Sequence, residues 1–101
     1  MEIIINRCFG GFGLSEVVYK ELGIEWSGYG YLDNEDMGIK SENFHQYRAD
    51  ERLISAVKKI GLIESQGFCS KLEIVDIPDG VEWEIDDYDG METVHEKHRS
   101  W

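Results

Sequence analysis

Ile3-Ile4-Ile5 opens the hydrophobic pattern and predicts a short strand over Glu2 to Asn6, buried on both faces. A glycine-rich stretch, Arg7-Cys8-Phe9-Gly10-Gly11-Phe12-Gly13, then turns the chain into a helix running from Ser15 to about Leu22. Ser15 suits its N-cap, Glu16 its first turn and Gly23 its stop, with Leu14, Val17, Val18 and Leu22 expected to face the core. Trp26, Tyr29 and Tyr31 alternate with small residues and suggest an irregular strand near 29–32. Leu53, Ala56, Val57 and Ile60 recur at helical spacing behind an Asp50 N-cap, and Gly61 ends that helix.

The last third alternates with period two. Leu72 to Ile77 reads as a strand, and Val81, Trp83 and Ile85 alternate with Glu82, Glu84 and Asp86 in the next one. Pro78-Asp79-Gly80 between them has turn chemistry, which predicts a β-hairpin over 72–88, ended by Asp89-Gly90. Met91 to His98 reads as a short terminal helix. The expected class is α+β: one domain over 1–101. A small mixed or antiparallel sheet, made of the first strand and this hairpin, is covered by two or three helices.

Charge changes the picture more than length does. One domain of 101 residues hides about 65% of the unfolded chain's surface. Twenty-one acids against ten bases give −11, which opposes direct binding to nucleic acid or to an anionic membrane. No apolar run nears the roughly 20 residues that span a bilayer, and the N-terminus lacks a signal-peptide pattern. Cys8 and Cys69, far apart, suit free thiols in a reducing cytoplasm. A homo-oligomer is compatible with all of this.

The acids concentrate. Nine carboxylates and no Lys or Arg lie between Leu72 and Glu92. On an extended strand Glu82, Glu84 and Asp86 repeat about every 7 Å, twice the rise per residue, close to the roughly 6–7 Å between phosphates of one DNA strand. Glu82, Glu84, Asp86 and Asp87 are therefore candidate partner-binding residues against a basic protein surface. A solvated strand face that discourages aggregation explains the same residues.

A second candidate set lies at the glycine turn. Gly10, Gly11, Gly13 and Ser15, with Arg7 and His95 or His98, could hold a phosphorylated small molecule at a strand–loop–helix junction. The loop has neither the Gly-Lys-Ser/Thr of a P-loop nor the Gly-x-Gly-x-x-Gly spacing, and a plain structural turn competes with it. His95-Glu96-Lys97-His98 falls one residue short of His-Glu-x-x-His, and the cysteines are too far apart in sequence for the usual zinc pair. Asp33 to Gly38 fails as a calcium loop, since its twelfth position is Phe44. No cofactor is expected. Trp101 suits either a core position or an interface.

Both ends of the chain resemble a family. Ile3-Ile4-Ile5-Asn6-Arg7-Cys8-Phe9-Gly10-Gly11-Phe12-Gly13-Leu14-Ser15 is similar to the opening of a small, largely uncharacterised group of phage- and prophage-encoded proteins. Leu72 to Ile85, Tyr88-Asp89-Gly90 and Glu96-Lys97-His98-Arg99-Ser100-Trp101 resemble its closing blocks, and Arg48-x-Asp50 its helix start. Relatives often place proline where this chain has Glu51. The resemblance implies a bacterial cytoplasmic setting and carries over no catalytic residues. With the charge, it favours a non-enzymatic, anti-CRISPR-like inhibitor. Its partner would be a basic host protein, such as a CRISPR effector or another nucleic-acid-binding defence factor. The alternatives are a binder or sponge of a nucleotide signal at the glycine turn, or a phage accessory protein.

Overall fold

A computed structural model describes residues 1–67 and 70–96. Four strands and three helices follow in the order β1 (Glu2–Asn6), α1 (Glu16–Leu22), α2 (Glu51–Ile60), α3 (Leu62–Ser65), β2 (Leu72–Asp76), β3 (Trp83–Tyr88) and β4 (Met91–Glu96). A 3₁₀ turn, Gln46–Ala49, leads into α2. The class is α+β, with two separate two-stranded antiparallel sheets, β1-β2 and β3-β4.

The first strand organises both layers. Ile3, Ile4 and Ile5 are all essentially inaccessible to solvent. Ile4 faces a core shared with Leu14, Val18, Tyr19, Leu53 and Val57 from the helical side. Ile3 and Ile5 face the opposite way, against Trp83 and Ile85 of the hairpin. The isoleucine run thus means a strand sandwiched between helices and a second sheet, as a continuous apolar strand should be.

The hairpin expected over 72–88 does not form. β2 pairs with β1 instead, Glu2 opposite Asp76 and Asn6 opposite Leu72. β3 pairs with β4, Trp83 opposite Glu96 and Tyr88 opposite Met91. Pro78-Asp79-Gly80 carries the chain from one layer to the other. The hairpin turn is Asp89-Gly90, whose φ values of 50° and 91° are both positive. That combination is the I′ turn that matches strand twist, and Asp-Gly favours it strongly. The expected terminal helix is therefore a strand over Met91–Glu96, and the rest of that stretch, with Trp101, lies outside the described residues.

Other expectations divide similarly. α1 stops at Gly23 as anticipated, its φ of 74° closing the helix. Ser15, however, does not cap α1 with its side chain; its Oγ donates to the Glu64 carbonyl at 2.7 Å, tying α1 to α3. Val17 is 49% exposed, and Tyr19 takes the core position instead. Asp50 does cap α2, accepting the Arg52 N–H at 2.8 Å. Residues 29–32 form no strand. Gly30 adopts φ 78°, and any Cβ there would fall 2.3 Å from the Leu14 carbonyl oxygen, so the chain bends where an extended segment was expected.

Candidate functional site: an acidic hairpin over a buried ion pair

Asn6 ends β1 and joins four segments. Its Nδ2 donates to the carbonyls of Cys8 and Gly90, both at 2.6 Å, and its Oδ1 accepts the Lys71 N–H at 2.8 Å. Its own backbone N–H donates to Glu92 Oε1 at 2.8 Å. Glu92 in turn receives a two-pronged ion pair from Arg48: Nη1 to Oε1 at 2.6 Å and Nη2 to Oε2 at 2.9 Å. Both side chains are only 3% exposed. The guanidinium lies 3.4 Å from the centre of the Phe12 ring, a cation–π arrangement, and Arg48 Nη1 also donates to the Ile4 carbonyl. This network fixes the hairpin on β1. Glu92, part of the acidic band in sequence, is buried and paired with Arg48, so it takes no part in an exposed acidic face.

The glycine turn belongs to the same junction. Gly90 packs directly on the backbone of Gly10 and Gly11, where a Cβ would come within 2.2 Å of the Gly11 nitrogen. Part of the junction's backbone is engaged: Gly10 N–H donates to the Asp89 carbonyl, and just past the turn Leu14 N–H donates to Gly30 and Ser15 N–H to Ser65. The Gly13 carbonyl accepts from Gly67 N–H and from Ser70 Oγ. Arg7 points away from the loop, with Nε 3.1 Å from Glu73 and Nη1 donating to the Glu92 carbonyl at 3.2 Å. His95 sits five strand residues beyond Gly90, about 17 Å along β4. Arg7, Gly10, Gly11, Gly13, Ser15 and His95 are thus not gathered around one space, and His98 lies outside the described residues. Phe68 and Cys69 also lie outside them. Among the described residues, no cluster of His, Cys, Asp and Glu could hold a metal, and no helix is long and apolar enough to cross a membrane.

The hairpin is different. Trp83 and Ile85 are buried, while Glu82, Glu84 and Asp86 alternate with them as exposed residues on the outer face, as their spacing predicts. Asp87 does not join that row. The alternation turns it to the face of Ile85, and its Oδ1 accepts the Gly90 N–H at 2.7 Å, closing the turn. The outer row continues instead to Tyr88, which is exposed and meets the exposed Phe9 edge-to-face at 6.5 Å.

His95 stands opposite Glu84 in the ladder. Its Nε2 lies 2.9 Å from Glu84 Oε1 and its Nδ1 3.1 Å from Asp86 Oδ2. One imidazole therefore bridges two members of the carboxylate row.

Other cations of the described residues pair away from this face. Lys20, Arg52, Lys58 and Lys59 form ion pairs with Glu16, Asp50, Glu2 and Glu21. The hairpin's outer face keeps its net negative charge.

Beside β3 runs a groove of about 650 Å³, bounded by Val81–Ile85 on one side and by 41–46 on the other. Phe44 stands on its wall, 85% exposed. Burial, and then the charge of Arg48, hold His45 below the usual imidazole range, so this wall adds no positive charge at neutral pH. Asn43 Nδ2 donates to the Trp83 carbonyl at 3.3 Å, the hydrogen bond that links this segment to the strand.

Sequence reasoning missed the Arg48–Glu92 pair and the aromatic end of the row. One signal was available: a lone Glu opposite an Asp across an Asp-Gly turn becomes inward-facing once residues 91–96 are read as a strand. Comparison with known proteins finds no family model, curated protein or solved structure that matches this chain.

Proposed function

We propose that this chain is a non-enzymatic, phage-encoded inhibitor. It would bind a basic, nucleic-acid-binding host defence protein in the bacterial cytoplasm, in the manner of anti-CRISPR proteins. The observation that supports the reading is the outer face of β3. Glu84 and Asp86, with Glu82 just ahead of the strand, project from one side of β3, whose other side, Trp83 and Ile85, is clamped on β1. A row held by a packed core loses little conformational freedom on docking, so its charge is presented at low entropic cost.

The partner surface this fits is a groove lined by Lys and Arg that otherwise follows a phosphate backbone. The exposed Tyr88–Phe9 pair at the end of the row supplies what charge alone lacks, an aromatic anchor of the kind that dominates interface energetics. Phage origin rests on the resemblance at the two ends of the chain.

The experiment is a tagged capture from bacterial lysate at low salt, with release by a salt gradient and native mass spectrometry of the eluate. A nucleic-acid-binding protein released as salt rises is the expected result. The Glu82→Lys/Glu84→Lys double variant should lose that partner with its fold unchanged by circular dichroism. Capture that ignores both salt and charge reversal would overturn the reading.

A further inference from the structure

Among the described residues, the backbone groups of Ile85 and Asp87 on the outer edge of β3 have no hydrogen-bond partner. A two-residue hairpin loop makes its flanking residues, Tyr88 and Met91, a hydrogen-bonded pair, so Asp86–Thr93 and Glu84–His95 are bonded pairs as well. The intervening residues, Trp83, Ile85 and Asp87, then aim their N–H and C=O groups away from β4. Two bonds agree with this parity. The Trp83 carbonyl accepts from Asn43 on the outer edge, and the Glu92 carbonyl, on the far edge of β4, accepts from Arg7. Among the described residues, no strand pairs with this edge. The groove against 41–46 opens along the first part of this edge, as far as Ile85, and the edge continues past it to Asp87.

We infer that this groove takes an extended segment of a partner protein, alternating basic and apolar residues, as an added strand on the edge of β3. The choice of occupant follows from charge. A second copy of this chain would set Glu82, Glu84 and Asp86 beside their own counterparts, and like charges across a strand pair are destabilising. A basic segment meets Glu82 and Glu84, with Glu42 on the opposite wall. Side chains of an added strand alternate as those of β3 do. Its outward positions lie beside the carboxylates and its inward positions beside the Trp83 and Phe44 walls. Main-chain bonds to Ile85 and Asp87 supply affinity, and the alternation supplies specificity. This inference rests on the hairpin being the partner-binding face, and it adds which element of the partner binds there.

The test uses a fluorescent hexapeptide alternating lysine and valine, the same peptide N-methylated on alternate backbone nitrogens, and hexalysine. The N-methylation is placed in both registers. Anisotropy titrations of the full chain should show the parent peptide binding. One N-methyl register should weaken it tenfold or more, and hexalysine should bind more weakly. Amide shifts in NMR spectra should centre on Ile85 and Asp87, and Phe44→Asp should remap or abolish them. Equal affinity of parent and both N-methylated peptides, no binding of the parent, or shifts away from 83–87 would each overturn the edge site. The two readings fail separately. Host-protein capture lost on charge reversal, with peptides insensitive to N-methylation, removes the edge site and keeps the acidic-face reading. Edge binding of peptide with no salt-released host protein does the reverse.

Discussion

Arg48 and Glu92 form a two-pronged ion pair, at 2.6 and 2.9 Å, between the 3₁₀ turn that precedes α2 and the second residue of β4. It is the point where the hairpin is locked to the rest of the chain, because Glu92 also accepts the Asn6 N–H and Arg48 also reaches the Ile4 carbonyl. Two ions removed from water lose much of their hydration energy, and only their geometry and added hydrogen bonds offset it. The pair therefore specifies how the two layers dock more than it adds net stability.

Breaking the pair from one side should be severe. Arg48→Met leaves a buried carboxylate with only the Asn6 amide, and a loss of about 3–5 kcal/mol follows for an uncompensated buried charge. Against a typical 5–15 kcal/mol for a domain, that is a large share. The double variant Arg48→Met/Glu92→Leu should recover most of it, since no charge remains to be desolvated. Urea denaturation of the three proteins checks this. A double variant no better than the single would mean that the ions themselves hold the layers together.

Gly90→Ala addresses the glycine turn. Its φ of 91° is unfavourable for alanine, and the new Cβ would meet the Gly11 nitrogen at 2.2 Å. Strain of this kind costs about 1–3 kcal/mol, more if the Gly10–Gly11 backbone must move. Thermal melts should show a clear loss. A neutral result would mean that the turn is loosely seated and its amides are free for a ligand.

Tyr19 is essentially inaccessible to solvent, and its hydroxyl has no hydrogen-bond partner among the described residues. Burial, then the nearby Asp36, raises the phenol from its ordinary value of 10.0 to about 12. Because the folded value exceeds the unfolded one, the stabilisation is complete below pH 10 and is lost as pH rises towards 12. Tyr19→Phe should flatten that alkaline decline and be neutral or slightly stabilising at pH 7, since it removes an unsatisfied buried group. Denaturation midpoints of the two proteins through the alkaline range measure both effects.

Asp50 gives the opposite sign. Side-chain hydrogen bonding from Arg52 is the main cause that holds its carboxyl below the ordinary 3.8, helped by the backbone N–H bonds of the α2 cap. A depressed folded value means that the contribution is present above the unfolded value and disappears as pH falls through the folded one. Asp50→Ala should cost about 1 kcal/mol at neutral pH as a lost N-cap. Its stability curve should converge with that of the parent on acidification below pH 3.8. A constant gap across that range would remove the carboxylate from the cap's energetics.

What could be read in the sequence was whatever is local. The three isoleucines, Gly23 as a helix stop, the Asp50 cap and the alternation of Trp83 and Ile85 with Glu82, Glu84 and Asp86 each follow from nearest-neighbour chemistry. Strand partners are not local. Pro78-Asp79-Gly80 and Asp89-Gly90 are both good turns, and only the second closes a hairpin. The buried face of β3 covers Ile3 and Ile5 across layers, instead of lying beside β2 in one sheet. The same gap explains the site. The carboxylate row was visible in the spacing. That Asp87 leaves the row, Glu92 is buried and His95 enters the row depends on a ladder register that residues 91–96 adopt only as a strand.

That register makes His95 a test of the acidic face. The ring spans Glu84 and Asp86 at 2.9 and 3.1 Å, so it competes with any basic partner for two of the three carboxylates in the row. Exposed pairs of this kind contribute little to folding, so His95→Ala should change stability by no more than about 0.5 kcal/mol. Binding should respond more. With the ring gone, both carboxylates are available, and the captured host protein should need more salt for release, with affinity at low salt rising about two- to fivefold. His95→Lys should do the reverse, placing a permanent cation across the row. If neither substitution moves the salt profile while Glu82→Lys does, the partner reads only the Glu82 end of the strand. If all three leave it unchanged, the row is a solvated face and the binding surface lies elsewhere on the chain.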